Sequence, residues 1–288
     1  MPGGPDHIVH VAGDLDALSD IYTRAGFTVG VRNTHPFGTH NRIIQLDGFY
    51  FELLTIAEPE RIQPHGAGAF SFGAYNRDFL GLHDGLSMLL LKSSDAGADA
   101  VAFDTAGIGG FKPFDFAREG KRPDGSVVKL AFSLAFAQDP ASPDVRFAVC
   151  QHHYPENFWN PAFQKHANGA KRLRGVVLVA EKPAVHAAVL TALAGGAVPV
   201  SDNSGINVST ANGEIAVVTP SAFRARFGVA PAIVGEGMAL NAVRMSVPDL
   251  DTTSAVLRAG GVATVRHDAR LVVPPASASG ATLVFEAA

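Results

Sequence analysis

The first chemical question is set by His7, in the alternating run DHIVHV, and Glu52, in FYFELL, where a buried strand face would ordinarily take Leu or Val. Imidazole nitrogen and carboxylate oxygen are ordinary ligands for Zn²⁺, Ni²⁺, Mn²⁺ or Fe²⁺, and neighbouring strands can aim both at one point. Glu52 shares strand parity with Tyr50 and Leu54. On a face covered by a helix it would need a buried partner or a raised pKa, both costly. On a cavity face it has a use, as a ligand or as the group that moves a proton. A solvent-exposed glutamate on an alternating strand is the rival reading.

Two ligands make half of a catalytic metal site, and RFAVCQHHYPE offers Gln151, His152 and His153 for the rest. Side chains alternate along a strand, so one histidine shares a face with Cys150 and the other faces oppositely. Whichever points inward would complete a three-ligand site with open positions for water or substrate. In the competing reading both cap the strand end near Tyr154 and Pro155. His10, further along the strand of His7, is expected on the same face as a proton carrier, with a satisfied structural histidine as the alternative. His35, Thr39, His40 and Asn41 surround Gly38; they suit a polar ligand, and equally a tight loop bonding its own backbone. Met88 and Gln151 complete the expected ligand-binding set. Cys150, after RFAV, reads as a buried inert thiol. His166, Asn168 and Gly169 in KHANGA read as turn chemistry, and Trp159 with Phe158 and Phe163 as a core plug or a cavity wall.

The elements that must position these residues repeat. DHIVHVAGDLDALSDIYTRAGF gives a strand, a helix capped by Asp14 and a stop at Gly26, and FTVGVRNT, HNRIIQL and FYFELLTI supply three strands after it. The order returns from residues 85, 175 and 241. One such unit cannot bury its sheet alone, so units should pair. The predicted fold class is α+β, four βαβββ modules paired into two curled mixed-sheet half-barrels, with residues 1–165 and 166–288 as two domains. At 288 residues, with 47% hydrophobic and 17% charged residues, the chain is globular and buries a great deal. A net charge of −4 without basic runs argues against nucleic acid. No apolar run reaches the roughly 18 residues of a bilayer helix. The opening lacks a leader pattern, and one cysteine excludes an intrachain disulfide, so a cytoplasmic location is expected.

This arrangement resembles the vicinal oxygen chelate superfamily, which includes glyoxalase I, extradiol dioxygenases and bleomycin-resistance proteins. It is most similar to glyoxalase-like domain proteins, through HPFGTHN (35 to 41), FSFGAYNRDFL (70 to 80), and CQHHYPENFW with QKHANGA (150 to 170). The resemblance implies that paired modules curl around a cavity holding a divalent ion, with His7 as first-strand ligand and Glu52 as last-strand carboxylate. The other modules depart from that pattern: Met88, Gly175 and Ala242 fall at the first-strand positions, and Val217 and Val284 near the carboxylate positions. Extradiol chemistry in the C-terminal half is disfavoured, and its cavity is expected to hold few polar residues. Two function classes follow, a metal-dependent lyase or isomerase acting on a small molecule, and a metal-free binding protein of the resistance type. A homodimer is compatible with either.

Overall fold

The computed structural model describes residues 3–121 and 125–288; residues 1 and 2, where the MPGGP opening begins, and 122–124 lie outside them. The first module comprises β1 (Pro5–Val11), α1 (Leu15–Arg24), β2 (Asn33–Thr34), β3 (Thr39–Leu46) and β4 (Phe49–Ile56). After helix α2 (Phe72–Leu80), the second comprises β5 (Gly85–Lys92), α3 (Ala96–Thr105), β6 (Phe114–Lys121), β7 (Val127–Ala137) and β8 (Arg146–His152), followed by the short α4 (Pro155–Phe158). The third comprises β9 (Arg172–Val179), α5 (Ala187–Leu193), β10 (Val200–Asp202), β11 (Gly205–Thr210) and β12 (Gly213–Val218), and leads into α6 (Pro220–Phe227). The fourth comprises β13 (Ala239–Val247), α7 (Leu250–Ala259), β14 (Val265–His267), β15 (Arg270–Val273) and β16 (Thr282–Ala287).

Three module helices start on the same chemistry. Asp14, Asp95 and Asp249 each accept backbone N–H bonds of the first turn, satisfying donors that the helix itself cannot. Modules pair within the chain. The eight strands of the first sheet run β2-β3-β4-β1-β5-β8-β7-β6, those of the second β10-β11-β12-β9-β13-β16-β15-β14, each joined at its centre by an antiparallel pair of first strands. Both are curled half-barrels. The run FTVGVRNT forms a strand only at Asn33–Thr34. Ahead of it the chain makes a single ladder-type bond, Gly30 N–H to the Ile43 carbonyl, and leaves Val31 exposed.

The helix-side faces of the two sheets share one core, in which Ile8, Phe51, Leu89 and Phe147 of the first half meet Val176, Val243 and Phe285 of the second. Fully burying each such side chain stabilises by roughly 1.5–3 kcal/mol. The KHANGA turn is pinned here: Asn168 donates to the Ala25 carbonyl, and the His166 ring sits between the Gln45 carbonyl and the Thr28 N–H. The concave face of the first sheet has its own core, with Phe72, Tyr75 and Phe79 of α2 laid over Val9, Met88 and Leu90.

Candidate functional site

The site begins with a defect in β1. Pro5 pairs with Leu91 and His7 with Leu90, so Asp6 is one residue more than its partner strand supplies, a bulge that buries Asp6 and His7 side by side. Asp6 Oδ1 lies 2.7 Å from His7 Nδ1 and 3.1 Å from His152 Nε2. A carboxylate only accepts, so both ring nitrogens donate to it. Burial would raise the Asp6 pKa, but attraction and hydrogen bonds from His152 and His7 outweigh it and hold the carboxyl well below the usual range.

With Nδ1–H given to Asp6, His7 turns Nε2 towards Glu52, 3.9 Å from Oε2. Glu52 is 6% exposed and on the concave face, as its parity with Tyr50 requires. Asn41 Nδ2 donates to Glu52 Oε1 at 2.5 Å and meets His35 Nε2 at 3.2 Å. His35 Nε2 is therefore an acceptor, and its Nδ1–H donates to Thr39 Oγ1 at 2.8 Å. Burial drives the His35 pKa down to about 4, against the pull of Glu52, so the ring is neutral near pH 7.

These groups face a small cavity of about 30 Å³ walled largely by Phe37, Phe72, Phe114, Phe116, Phe132 and Phe158. Side chains crowd it, and its free centre takes about two water-sized groups or one ion. Cys150 also lines it; burial first, then Asp6 and Glu52, pushes the thiol pKa up. Arg118, at the same parity on β6 as Phe114 and Phe116, closes one side. Its Nη1 donates to Asn33 Oδ1 at 3.3 Å, and Asn33 Nδ2 donates to Asn41 Oδ1 at 3.0 Å, linking the two edge strands of the half-barrel to Glu52.

His7, Glu52, His35 and Asn41 thus converge, with Thr39 buried behind His35. Other expected residues lie elsewhere. His10, three residues after His7, has opposite parity: its Nε2 donates to the Ser279 carbonyl and its Nδ1 accepts from Tyr22. It is a pin to the second half, not a proton carrier in the cavity. Met88 lies under α2 beside Asn76, out of the cavity. Gln151 faces the helix side, accepting the Ala96 N–H at the start of α3. His153 leaves the strand end and meets Ser133 Oγ. His152 does share the face of Cys150, but its Nε2 goes to Asp6, its Nδ1 is buried without a partner, and its ring stacks on Trp159. Phe158 is cavity wall. Asp6, Asn33 and Arg118 escaped the sequence reading; Arg118 was findable from FDFAR, where a cation shares parity with two phenylalanines.

A divalent ion bonds N and O ligands at about 2.0–2.2 Å, so the 3.9 Å between His7 Nε2 and Glu52 Oε2 is a span that one ion can bridge. Asp6 behind His7 is the carboxylate–histidine support that such a ligand ordinarily has. Asp6, His7 and Cys150 also offer ligand atoms within 4.8 Å of one another. The second module adds nothing: where β1–β4 pairs Val9 with Glu52, β5–β8 pairs Leu90 with Ala148, and Met88 replaces His7. The donor set at the 3.9 Å gap fits an ion with two protein ligands, His7 and Glu52.

The C-terminal concave face is more polar than expected. Arg244 grips Glu286 with two bonds of 3.0 Å, Arg270 adds a third at 2.9 Å, and Arg226 and Glu214 lie beside them. Val217 faces the shared core instead of the concavity, while Ala242 and Val284 lie in the concave-face cluster. The charges are paired with each other, and no metal-ligand group is found there among the described residues.

A family model described as a glyoxalase-like domain matches residues 6–194. No curated protein matches the chain. Among solved structures, a hypothetical protein from Staphylococcus aureus is similar over 99% of both chains, with 12% identity and a TM-score of 0.67. A xylose isomerase-like TIM barrel/4-hydroxyphenylpyruvate dioxygenase fusion protein gives a TM-score of 0.54 at 11% identity, over 99% of this chain and 48% of its own. A mutant 4-hydroxymandelate synthase from Streptomyces coelicolor gives 0.56 at 12% identity, over 92% of this chain and 77% of its own. At such identities the likeness is one of fold.

Proposed function

The chain belongs to the glyoxalase-like domain family, with the vicinal oxygen chelate fold, and from that premise we propose that its first half-barrel is the working site of a small-molecule enzyme, a divalent-metal-dependent lyase or isomerase. The carrying observation is the approach of His7 Nε2 to Glu52 Oε2 at 3.9 Å, with Asp6 fixing the other nitrogen of the ring. His7 and Glu52 would hold the ion. When bound, it would supply Lewis-acid polarisation of neighbouring oxygens on the substrate.

The chain's own groups do the rest. Asp6 keeps the lone pair of His7 on Nε2. Asn41 anchors Oε1 of Glu52 and leaves Oε2 as the oxygen that would hold the ion, so a proton taken from a substrate carbon and returned to the next one would move through Oε1, whose second lone pair is uncommitted. His35, neutral, adds no competing charge. The phenylalanine walls keep water out, which strengthens each of these interactions. Metal analysis of protein purified without a tag tests the proposal. Bound metal that is lost in Glu52→Ala is expected; equal occupancy in the variant removes the idea.

Met88 and Ala148, at the positions that would complete the ligand set, favour a second reading, a metal-free binding protein. Thermal shifts separate the two. Stabilisation by divalent ions alone supports the enzyme, and stabilisation by organic compounds without ions supports the binder.

A further inference from the structure

The concave face of the second sheet opens into a cavity of about 700 Å³, far roomier than the inner cavity of the first and of the size of an ordinary small-molecule site. It lies between α6, which lays Phe223 and Phe227 over the sheet, the turn joining β10 to β11, and β12, whose Glu214, Ala216 and Val218 share one face. Two of its charges are loosely held. The Arg226 guanidinium, half-buried over the Phe227 ring, makes no hydrogen bond among the described residues, and its Nη2 is 3.7 Å from Glu214 Oε1. Burial, then the neighbouring Arg244, lowers its pKa against the pull of Glu214, so it is short of negative charge. Glu214 receives only a 3.4 Å bond from Arg244 Nη1, at Oε2, which leaves Oε1 without a donor. A third charge, Asp202, stands exposed at the rim with Oδ1 taken by the backbone of its own turn.

We infer that this cavity is a second binding site, separate from the one proposed in the first half-barrel, and that it takes a free apolar α-amino acid, with the carboxylate on Arg226 and the ammonium on Glu214. The mixture of signs argues for the class. A plain anion would meet Glu214 and Asp202, and a plain cation would meet Arg226; a ligand carrying both charges answers all three. Spacing narrows it. The wall presents opposite charges 3.7 Å apart, and a molecule with its two charged groups on one carbon can lie antiparallel alongside them. The unbonded guanidinium fork can then take the carboxylate through two parallel bonds. Ala216, Val218 and Ala222 supply an apolar floor for the side chain.

Ligand-observed NMR titration and thermal shift of the full chain, with L-valine, N-acetyl-L-valine and L-valinamide, test this. Each derivative lacks one of the two charges, and valine is expected to bind at least about ten-fold more tightly than either. L-Alanine should bind more tightly than its isomer β-alanine, whose charges stand one carbon further apart. Arg226→Gln is expected to weaken valine about ten-fold and leave valinamide unchanged, and Glu214→Gln to weaken valine and leave N-acetylvaline unchanged. The Arg226 guanidinium makes no bond of the fold, so the result with Arg226→Gln stands even where Glu214→Gln loosens Arg244. Glu52→Ala, in the other half-barrel, leaves valine binding as it is. Equal affinity for valine and its derivatives, valine binding indifferent to Arg226→Gln, loss of valine binding in Glu52→Ala, or no binding of any probe overturns the inference.

Discussion

At the scale of single residues, one carboxylate decides which nitrogens are free. Asp6 serves both His7 and His152 from a buried position, so Asp6→Asn replaces an acceptor for two imidazoles with a group that can clash with either. Loss of about 3 kcal/mol of stability is expected by urea unfolding. Metal affinity should fall about 10- to 100-fold, as for other supports of a ligating histidine. His10 gives a pH signature. Burial lowers its folded pKa from 6.5 to about 4. Between those values the unfolded chain holds the additional proton, so this contribution is complete above about pH 6.5 and is lost as pH falls to about 4. It amounts to on the order of 3 kcal/mol. Urea midpoints from pH 7.5 to 4.5 should fall less steeply in His10→Gln than in the parent chain. What the sequence makes legible at this scale is the oddity of type: Glu52 among apolar residues, His35 and Asn41 about a glycine. Facing is harder. Strand alternation puts His10, three residues after His7, and Gln151, next to Cys150, on the far face and leaves one of His152 and His153 pointing inward, while Asp6 is hidden because a bulge breaks that alternation.

Elements set the precision of the site. The HPFGTHN turn places His35, Thr39 and Asn41, and Gly38 at its apex has φ +89° with Glu58 O only 2.5 Å from where a Cβ would stand. Gly38→Ala therefore meets both backbone strain and a steric clash, worth about 1–3 kcal/mol. A lower unfolding midpoint together with weaker ligand or metal binding is expected, since the turn cannot shift without moving Asn41 off Glu52. The strand–helix–glycine order is readable because caps and periodicity are local. Helix α2 is not read in this way, although FSFGAYNRDFL stands out: its role is to cover Met88 and Leu90, a tertiary fact that no local pattern carries. The pairing of Arg118 with Asn33 joins opposite edges of one sheet and is invisible along the chain for the same reason.

At the scale of the whole molecule, the repeat announces two curled sheets, and their merging is what the structure adds. Helix-side faces of both halves form one continuous apolar core, crossed by the stacked Phe27 and Phe285 and by the buried His186–Asp139 pair at 2.6 Å. Unfolding should therefore be a single transition, with calorimetric and van't Hoff enthalpies equal. Residues 1–165 expressed alone would uncover Phe51, Leu89 and Phe147, and should aggregate or bind hydrophobic dye; a monomeric fragment with its own cooperative transition would count against a shared core. The merging was illegible because strand faces read as apolar in either partner, and composition does not say which apolar face meets which. The C-terminal concavity shows the same gap: Arg244, Arg270 and Glu286 look like surface charge until the sheet curls and brings them together.

The convergence of His7 and Glu52 is tested most directly by anomalous scattering from crystals soaked in Mn²⁺. The account predicts a peak bonded at about 2.0–2.3 Å to both His7 Nε2 and a Glu52 carboxylate oxygen, and gone in Glu52→Ala. Manganese bound elsewhere in the cavity, or a peak that persists without Glu52, would contradict it.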